Sequence, residues 1–315
     1  MGNAALRASP TKLAMVGLGK ISRDQHVPEV AKSEDFVLAA SVDPAATALE
    51  GVPHFASLRD LLDSGLPFDA AAICTPPQLR AGLAMEALAA GKHVLLEKPP
   101  ARAPGDVAAL EQRARAAGLT LFAAWHSRFA AGVAPARAWL AGKSVRRVEI
   151  VWREDVRVWH PGQRWIWREG GFGVFDPGIN ALSIVTALLD RPLHLRSAVL
   201  QVPTNCATPI AAQLELSNAA GVTVSADLDF LQQGPQTWDI RIETDGGELL
   251  LSRGGSVLRT PEGILEAPDD EYGAIYSRFA ALIRSGACDA DTEPLRIVAD
   301  TLARGEVRPV AEFHE

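Results

Sequence analysis

The sequence predicts an α/β chain: a doubly wound parallel sheet in the first half, then a strand-rich second half closed by helices. Three observations point there. Short apolar runs alternate with helical stretches from residue 12 to about 124. A glycine turn, "GLGKIS", follows the first of those runs. Beyond it, several runs alternate apolar and polar residues with turn residues between them, the pattern of half-buried strands.

Each element of the first half has its own reason. "KLAMVG" (12–17) reads as a buried strand and "DQHVPEVAKS" as the helix after it. "FVLAASVD" (36–43) is the next strand, followed by a short helix over "SLRDLLDSG" and a strand over "DAAAICT" (69–75). "QLRAGLAMEALAAG" is a helix closed by Gly91, and "HVLLEK" (93–98) is the strand it leads to. "GDVAALEQRARAAG" (105–118) and "LTLFAAW" (119–125) are the last helix–strand pair. Strands this short and apolar, each separated by a helix, pair in parallel with helices on both faces. In the second half "VRRVEIVWRED", "LRSAVLQVP", "IAAQLELS", "GVTVSADLDF", "TWDIRIET" and "GELLLS" are strand-like. "YGAIYSRFAALIRSG" and "EPLRIVADTLARG" are the closing helices. The expected division is a dinucleotide-binding domain over 1–124 and a substrate-binding and oligomerisation domain over 125–315.

Composition narrows the function classes. With 315 residues, 48% hydrophobic and 22% charged, the chain is an ordinary globular one with room for two domains. A net charge of -7 argues against nucleic acid and against a basic membrane-facing patch. Cys74, Cys206 and Cys288 are scattered and form no CxxC, which suits a reducing compartment. The N-terminal stretch lacks the build of a signal peptide, and no apolar run nears the roughly 18 residues of a membrane span. A cytoplasmic protein is expected. No pair of histidines has ligand spacing, so no metal site is expected.

Ligands of doubly wound sheets bind beyond the carboxyl ends of the strands. The residues there are Gly17, Asp43, Thr75, Pro76, Glu97, Lys98 and His126. In Gly17-x-Gly19-x-x-Ser22 the glycines permit a tight turn and close approach of a pyrophosphate to a helix N-terminus. Ser22 stands where the full fingerprint has a third glycine. Gly17, Gly19, Lys20 and Ile21 are the expected pyrophosphate contacts, with Thr75, Pro76, Glu97 and Lys98 further along the same edge. Asp43 closes the second strand 24 residues after Gly19, the place of the carboxylate that holds a ribose. A carboxylate there repels a 2′-phosphate, and "SVDPAATA" offers no cation to bind one, so NAD is favoured with NADP possible.

The ordered set "GLGKISRDQHVP", "TPPQLR", "GKHVLLEKPP", "AWHSRFA", "WREDVRVWHPGQRWIW" and "GVFDPGINALSIVT" resembles the Gfo/Idh/MocA oxidoreductase family over essentially the whole chain. Within that family it is similar to the arabinose/galactose 1-dehydrogenase branch. The resemblance implies a second domain with a large, mainly antiparallel open sheet, through which copies pair as dimers or tetramers. It implies a Lys98–Pro99 bond that is often cis. Family members commonly carry Asp-x-Gly-x-His, whereas this chain reads Asp176-Pro177-Gly178-Ile179-Asn180, so no histidine base stands at 180.

The activity implied is oxidation of an aldose at C1 to its lactone. Lys98 is the leading candidate for base or proton relay, if its surroundings lower its pKa. Asp176 and Asn180, one helical turn apart, would meet sugar hydroxyls, although Asp before Pro is also the look of a helix N-cap. Alternation along "VEIVWRE" puts Glu154 on the face of Val148, Ile150 and Trp152. Trp152, Trp159, Trp165 and Trp167 crowd around His160, with Trp238 expected beside them. Such rings suit sugar faces, and Glu154 and His160 suit hydroxyls; plain core is the other reading of the rings. His126 either reaches this pocket or bonds at the hinge. The residues also leave open an inositol or diol dehydrogenase and a nucleotide-bound sugar sensor without chemistry.

Overall fold

The computed structural model describes residues 9–268 and 270–314, which form two compact units. The first gathers the chain up to Ala101, Asp106–Ala124 and Tyr272–Ala290; the second gathers Arg102–Gly105, Trp125–Glu271 and the chain from Asp291. One helical stretch near the C-terminus therefore joins the first unit, although the cut expected at 124 put it in the second domain.

The first sheet holds β1 (Thr11–Val16), β2 (Phe36–Val42), β3 (His54–Phe55), β4 (Ala70–Ile73), β5 (His93–Glu97) and β6 (Leu121–Ala124). Between them run α1 (Val27–Lys32), α2 (Leu58–Asp63), α3 (Pro77–Ala89) and α4 (Pro104–Ala116). All pairs are parallel in the order β3-β2-β1-β4-β5-β6, the arrangement of a Rossmann sheet. The strand β3 is too short to leave a periodic signal. The expected helix over "DQHVPEVAKS" opens instead with a wide π-turn over Ser22–His26. Pro28 has no amide hydrogen to return to residue 24, so the ordinary ladder is broken there.

After the second unit is threaded, α8 (Glu271–Ser285) lays Phe279 against the first sheet, stacked on Phe36 at 5.5 Å and Phe122 at 6.2 Å between centroids. The chain beyond it bonds the outer edge of β6, with Ala123 N–H donating to Asp289 O at 2.9 Å and Asp289 N–H to Leu121 O at 2.9 Å. That closes a strand edge otherwise open to foreign pairing.

The second unit contains α5 (Val133–Leu140), β7 (Val145–Arg153), α6 (Val156–Trp159), α7 (Phe175–Leu188), β8 (His194–Pro203), β9 (Ala211–Ser217), β10 (Thr223–Asp229), β11 (Thr237–Thr244), β12 (Gly247–Ser252), β13 (Val257–Thr260) and β14 (Gly263–Glu266), with α9 (Glu293–Arg304) and β15 (Glu306–Val310) after α8. Nine strands order as β14-β13-β12-β11-β7-β10-β9-β8-β15, antiparallel except for β7 with β10 and β8 with β15. One face is apolar, built from Val148, Ile150, Leu214, Val224, Leu228 and Ile240, and α7 covers it. The opposite face carries Glu149, Gln213, Glu215 and Asp227 around a shallow depression of about 410 Å³.

α7 lies close to the sheet because Gly178 has no side chain. A Cβ there would stand 2.7 Å from Cδ1 of the buried Leu228 on β10. Gly82, exposed within α3, meets nothing within 4 Å. Alanine gains about 1 kcal/mol over glycine in a helix, whereas overpacking a core costs about 1–3 kcal/mol. Gly178→Ala should therefore lower unfolding free energy and Gly82→Ala should raise it by about 0.5–1 kcal/mol, read by urea denaturation. Equal effects of the two substitutions would refute this account of α7.

Candidate active site

In the first unit the glycine turn does two different jobs. Gly17, at φ 93°, brings β1 against β4, since a Cβ would stand 2.8 Å from the Thr75 nitrogen. A Cβ on Gly19 would meet nothing within 4 Å, so that side of the turn is open. Ser22, buried where a third glycine was expected, donates its hydroxyl to Gly17 O at 2.5 Å. The serine thus ties the turn to the helix that follows it. Lys20 is exposed and pairs with Asp24 one turn on, and Ile21 precedes the π-turn.

Asp43 sits beside that turn. Its Oδ2 accepts from Leu18 N–H at 2.9 Å, and its Oδ1 accepts from Ala45 and Ala46 N–H at 2.9 and 2.8 Å. Burial works to raise its pKa, but the three amide donors outweigh it and hold the group below the ordinary carboxylate range. Asp43 is therefore an anion locked in place. The Thr75 hydroxyl, at the end of β4, is buried with no hydrogen-bond partner among the described residues. Next to it, Pro76 leads into α3. An open glycine turn, a fixed carboxylate and an orphaned hydroxyl on one strand edge fit a dinucleotide: phosphates at the turn, ribose at Asp43.

At the end of β5 the Lys98–Pro99 bond is cis and Lys98 is half-buried. Glu97 is 1% exposed, and its carboxylate is occupied inside the unit. It accepts from Lys98 N–H at 2.6 Å and Tyr272 O–H at 2.6 Å, and lies 3.2 Å from His26 Nε2. The residue expected to touch cofactor thus turns its carboxylate inward. Arg80, on α3, donates to Thr75 O at 2.6 Å, to Glu97 O at 2.7 Å and to Pro99 O. The ends of β4 and β5 are clamped together by one buried guanidinium.

In the second unit a polar cluster lies among aromatic rings. Glu154, just past β7, is 2% exposed. Its Oε1 pairs with His160 Nε2 at 3.0 Å and its Oε2 accepts from Trp238 Nε1 at 2.8 Å. His160 Nδ1 stands 3.6 Å from Asp176 Oδ2, so one imidazole lies between two carboxylates. Trp238 stacks on Trp152 at 5.8 Å and meets Trp159 at 4.7 Å. Trp159, on α6, is 39% exposed, the outermost ring of the three. The Trp152 indole nitrogen is buried without a partner among the described residues.

Asp176 is not the cap of α7. Val174 takes that position, no side chain caps the helix, and Asp176 lies within the first turn, 4% exposed, where an anion suits the helix dipole. Asn180 follows one turn later, half-buried. His126 opens a 3-10 turn over His126–Phe129, and its Nδ1 pairs with the Glu271 carboxylate and lies 3.3 Å from Ser127 Oγ. Its ring is thus engaged where the chain leaves the second unit. Sequence reasoning did not single out His26, Arg80, Tyr272 or Tyr276. The two tyrosines are the chain's full complement, one turn apart on α8, which was the available signal.

Residues 11–124 match the model of the GFO_IDH_MocA oxidoreductase family, an NAD-binding Rossmann fold. The chain is 45% identical to galactose 1-dehydrogenase of Pseudomonas fluorescens over 97% of its own length and 99% of that protein. Its structure matches the crystal structure of D-galactose-1-dehydrogenase from Rhizobium etli with TM-score 0.93 and 47% identity, covering 98% of this chain and 100% of the other. A 3-ketoreductase from Actinomadura kijaniata, solved with NADP, shares the fold at TM-score 0.84 and 18% identity, covering 96% of this chain and 99% of the other. Sheet order, glycine turn and whole-length identity agree, and the chain belongs to the Gfo/Idh/MocA oxidoreductase family.

Proposed function

We propose that this protein is an NAD(P)-dependent aldose 1-dehydrogenase that oxidises C1 of D-galactose, or of a close stereochemical relative such as L-arabinose, to the aldonolactone. The observation that carries the reading is the whole-length identity to a galactose 1-dehydrogenase. The buried Glu154–His160–Asp176 cluster among indole rings supports it, because a sugar offers hydroxyls at its rim and C–H bonds on its faces. A nicotinamide, when bound, would supply the hydride acceptor for C1. Lys98 handles the proton leaving the C1 hydroxyl. Asp176 accepts from a ring hydroxyl, and Asn180, which cannot titrate near neutrality, both donates and accepts. His160 is oriented by Glu154, and Trp159 and Trp238 give the apolar wall. Two or more copies meet through the polar face of the nine-stranded sheet, with small aldoses as ligands and the cytoplasm as the place of action.

An absorbance trace at the reduced-nicotinamide band tests the reading, with NAD and NADP compared on galactose, arabinose, fucose and glucose. Reduction is expected with galactose or arabinose. Turnover confined to inositols or diols, or none with any aldose, would overturn it. Lys98→Met should lower kcat by about 10²–10⁴-fold while NADH binding, followed by fluorescence, stays at the parent level. Retained turnover would remove Lys98 from the chemistry. Asp43→Asn keeps the shape of the side chain and deletes its charge. It should narrow the preference for NADH over NADPH by about tenfold, or ~1.4 kcal/mol, in fluorescence titrations. An unchanged ratio would show that Asp43 does not select the cofactor.

A further inference from the structure

The first unit encloses a hydrogen-bonded chain that the chemistry above does not use. His26, at the end of the π-turn, is fully buried. Its Nδ1 lies 2.8 Å from Tyr276 Oη and its Nε2 lies 3.2 Å from Glu97 Oε1. Tyr272, one turn before Tyr276 on α8, donates to the same Oε1 at 2.6 Å. The second oxygen, Oε2, accepts the peptide N–H of Lys98 at 2.6 Å. Both tyrosine rings stand edge-on to the imidazole, at 4.9 and 5.8 Å between centroids.

The donor count sets the charges. A peptide N–H and a phenol O–H donate to Glu97 and an imidazole nitrogen lies 3.2 Å from it, and an ionised carboxylate can accept from all three. A buried anion needs a countercharge within reach. His26 is the group placed to supply it, its Nε2 3.2 Å from Oε1: burial opposes its protonation, but its neighbours Cys74 and Glu97 raise it well above the ordinary imidazole range. An imidazolium donates from both ring nitrogens, and its Nδ1 would donate to Tyr276 Oη, 2.8 Å away. Burial first, and the nearby Cys74 and Glu97 with it, push that phenol up to about 12, so it stays neutral.

We propose that His26 and Tyr272 are positioning residues: by holding the Glu97 carboxylate they fix the peptide of Lys98, and so the place where its side chain works. Arg80 grips the carbonyls on either side, Glu97 O and Pro99 O, so the Lys98 backbone is held by an anion at its N–H and by a cation at the flanking carbonyls. The proposal rests on the reading of Lys98 as the proton-handling residue. A misplacement of about 1 Å at such a group costs about 10²-fold in rate, so rigid support has a kinetic purpose.

The test uses the full-length protein with galactose and NAD. His26→Gln and Tyr272→Phe are made singly, and His26→Gln is also placed in the Lys98→Met background. In folded variants, checked by far-UV circular dichroism, kcat should fall by about 10- to 100-fold with KM for galactose and the NADH dissociation constant held. In the Lys98→Met background, His26→Gln should cost nothing further, because its only route to the reaction is gone. The proposal is overturned if kcat stays within about twofold of the parent, if the loss falls on KM or NADH binding, or if the two losses multiply. Should His26→Gln fail to fold, Tyr272→Phe, which deletes a single hydroxyl, decides by the same readings. Turnover retained in Lys98→Met overturns this proposal together with the role of Lys98. An inactive Lys98→Met beside an unimpaired His26→Gln overturns this proposal alone.

Discussion

Parallel pairing is the constraint on which the first unit depends. Six strands running the same way must all finish at one edge, and residues far apart in the sequence gather there. Gly17, Asp43, Thr75 and Lys98 follow different strands, yet the pairing of β1 with β2 and β4, and of β4 with β5, brings them into one row. The row is then tightened by side chains that bond the backbone around it. Asp43 takes three amides, Ser22 bonds Gly17, and Arg80 spans the ends of β4 and β5. Each of these bonds satisfies backbone groups that would otherwise be left open where the strands stop.

The second unit solves a different problem. A nine-stranded sheet with one apolar face needs a cover, and α7 provides it with an almost wholly buried first half. Burying the start of that helix also buries Asp176, and a polar group inside a core needs partners. His160 stands beside it, itself paired to Glu154, whose other oxygen is held by an indole. Polar groups are thus placed in an aromatic surrounding with partners of their own. The same arrangement leaves Trp159 outermost of the three packed indole rings.

Both units follow a shared rule. Buried carboxyl groups are met by specific partners: Glu97 by His26 and Tyr272, Glu154 by His160 and Trp238. In each case a histidine stands between the carboxylate and a further polar group, Tyr276 in one unit and Asp176 in the other. Such chains hold their members in single orientations.

Much of this was legible in the residue order because it depends on local pattern. Apolar runs broken by helices announced the parallel sheet, "GLGKIS" before Asp43 announced a dinucleotide edge, and alternation along "VEIVWRE" put Glu154 on the buried face. What depends on long-range approach was not legible. Whether Asp176 caps a helix or lies inside its first turn turns on where α7 meets the sheet, which Gly178 and Leu228 decide at close range. The inward turn of Glu97 depends on Tyr272, distant in sequence and delivered by a helix that returns to the first unit after the second is threaded. Periodicity reports which face of an element is apolar, because that is a property of neighbours along the chain. Which donor answers a buried carboxylate is a property of neighbours in space, and only the folded chain chooses them.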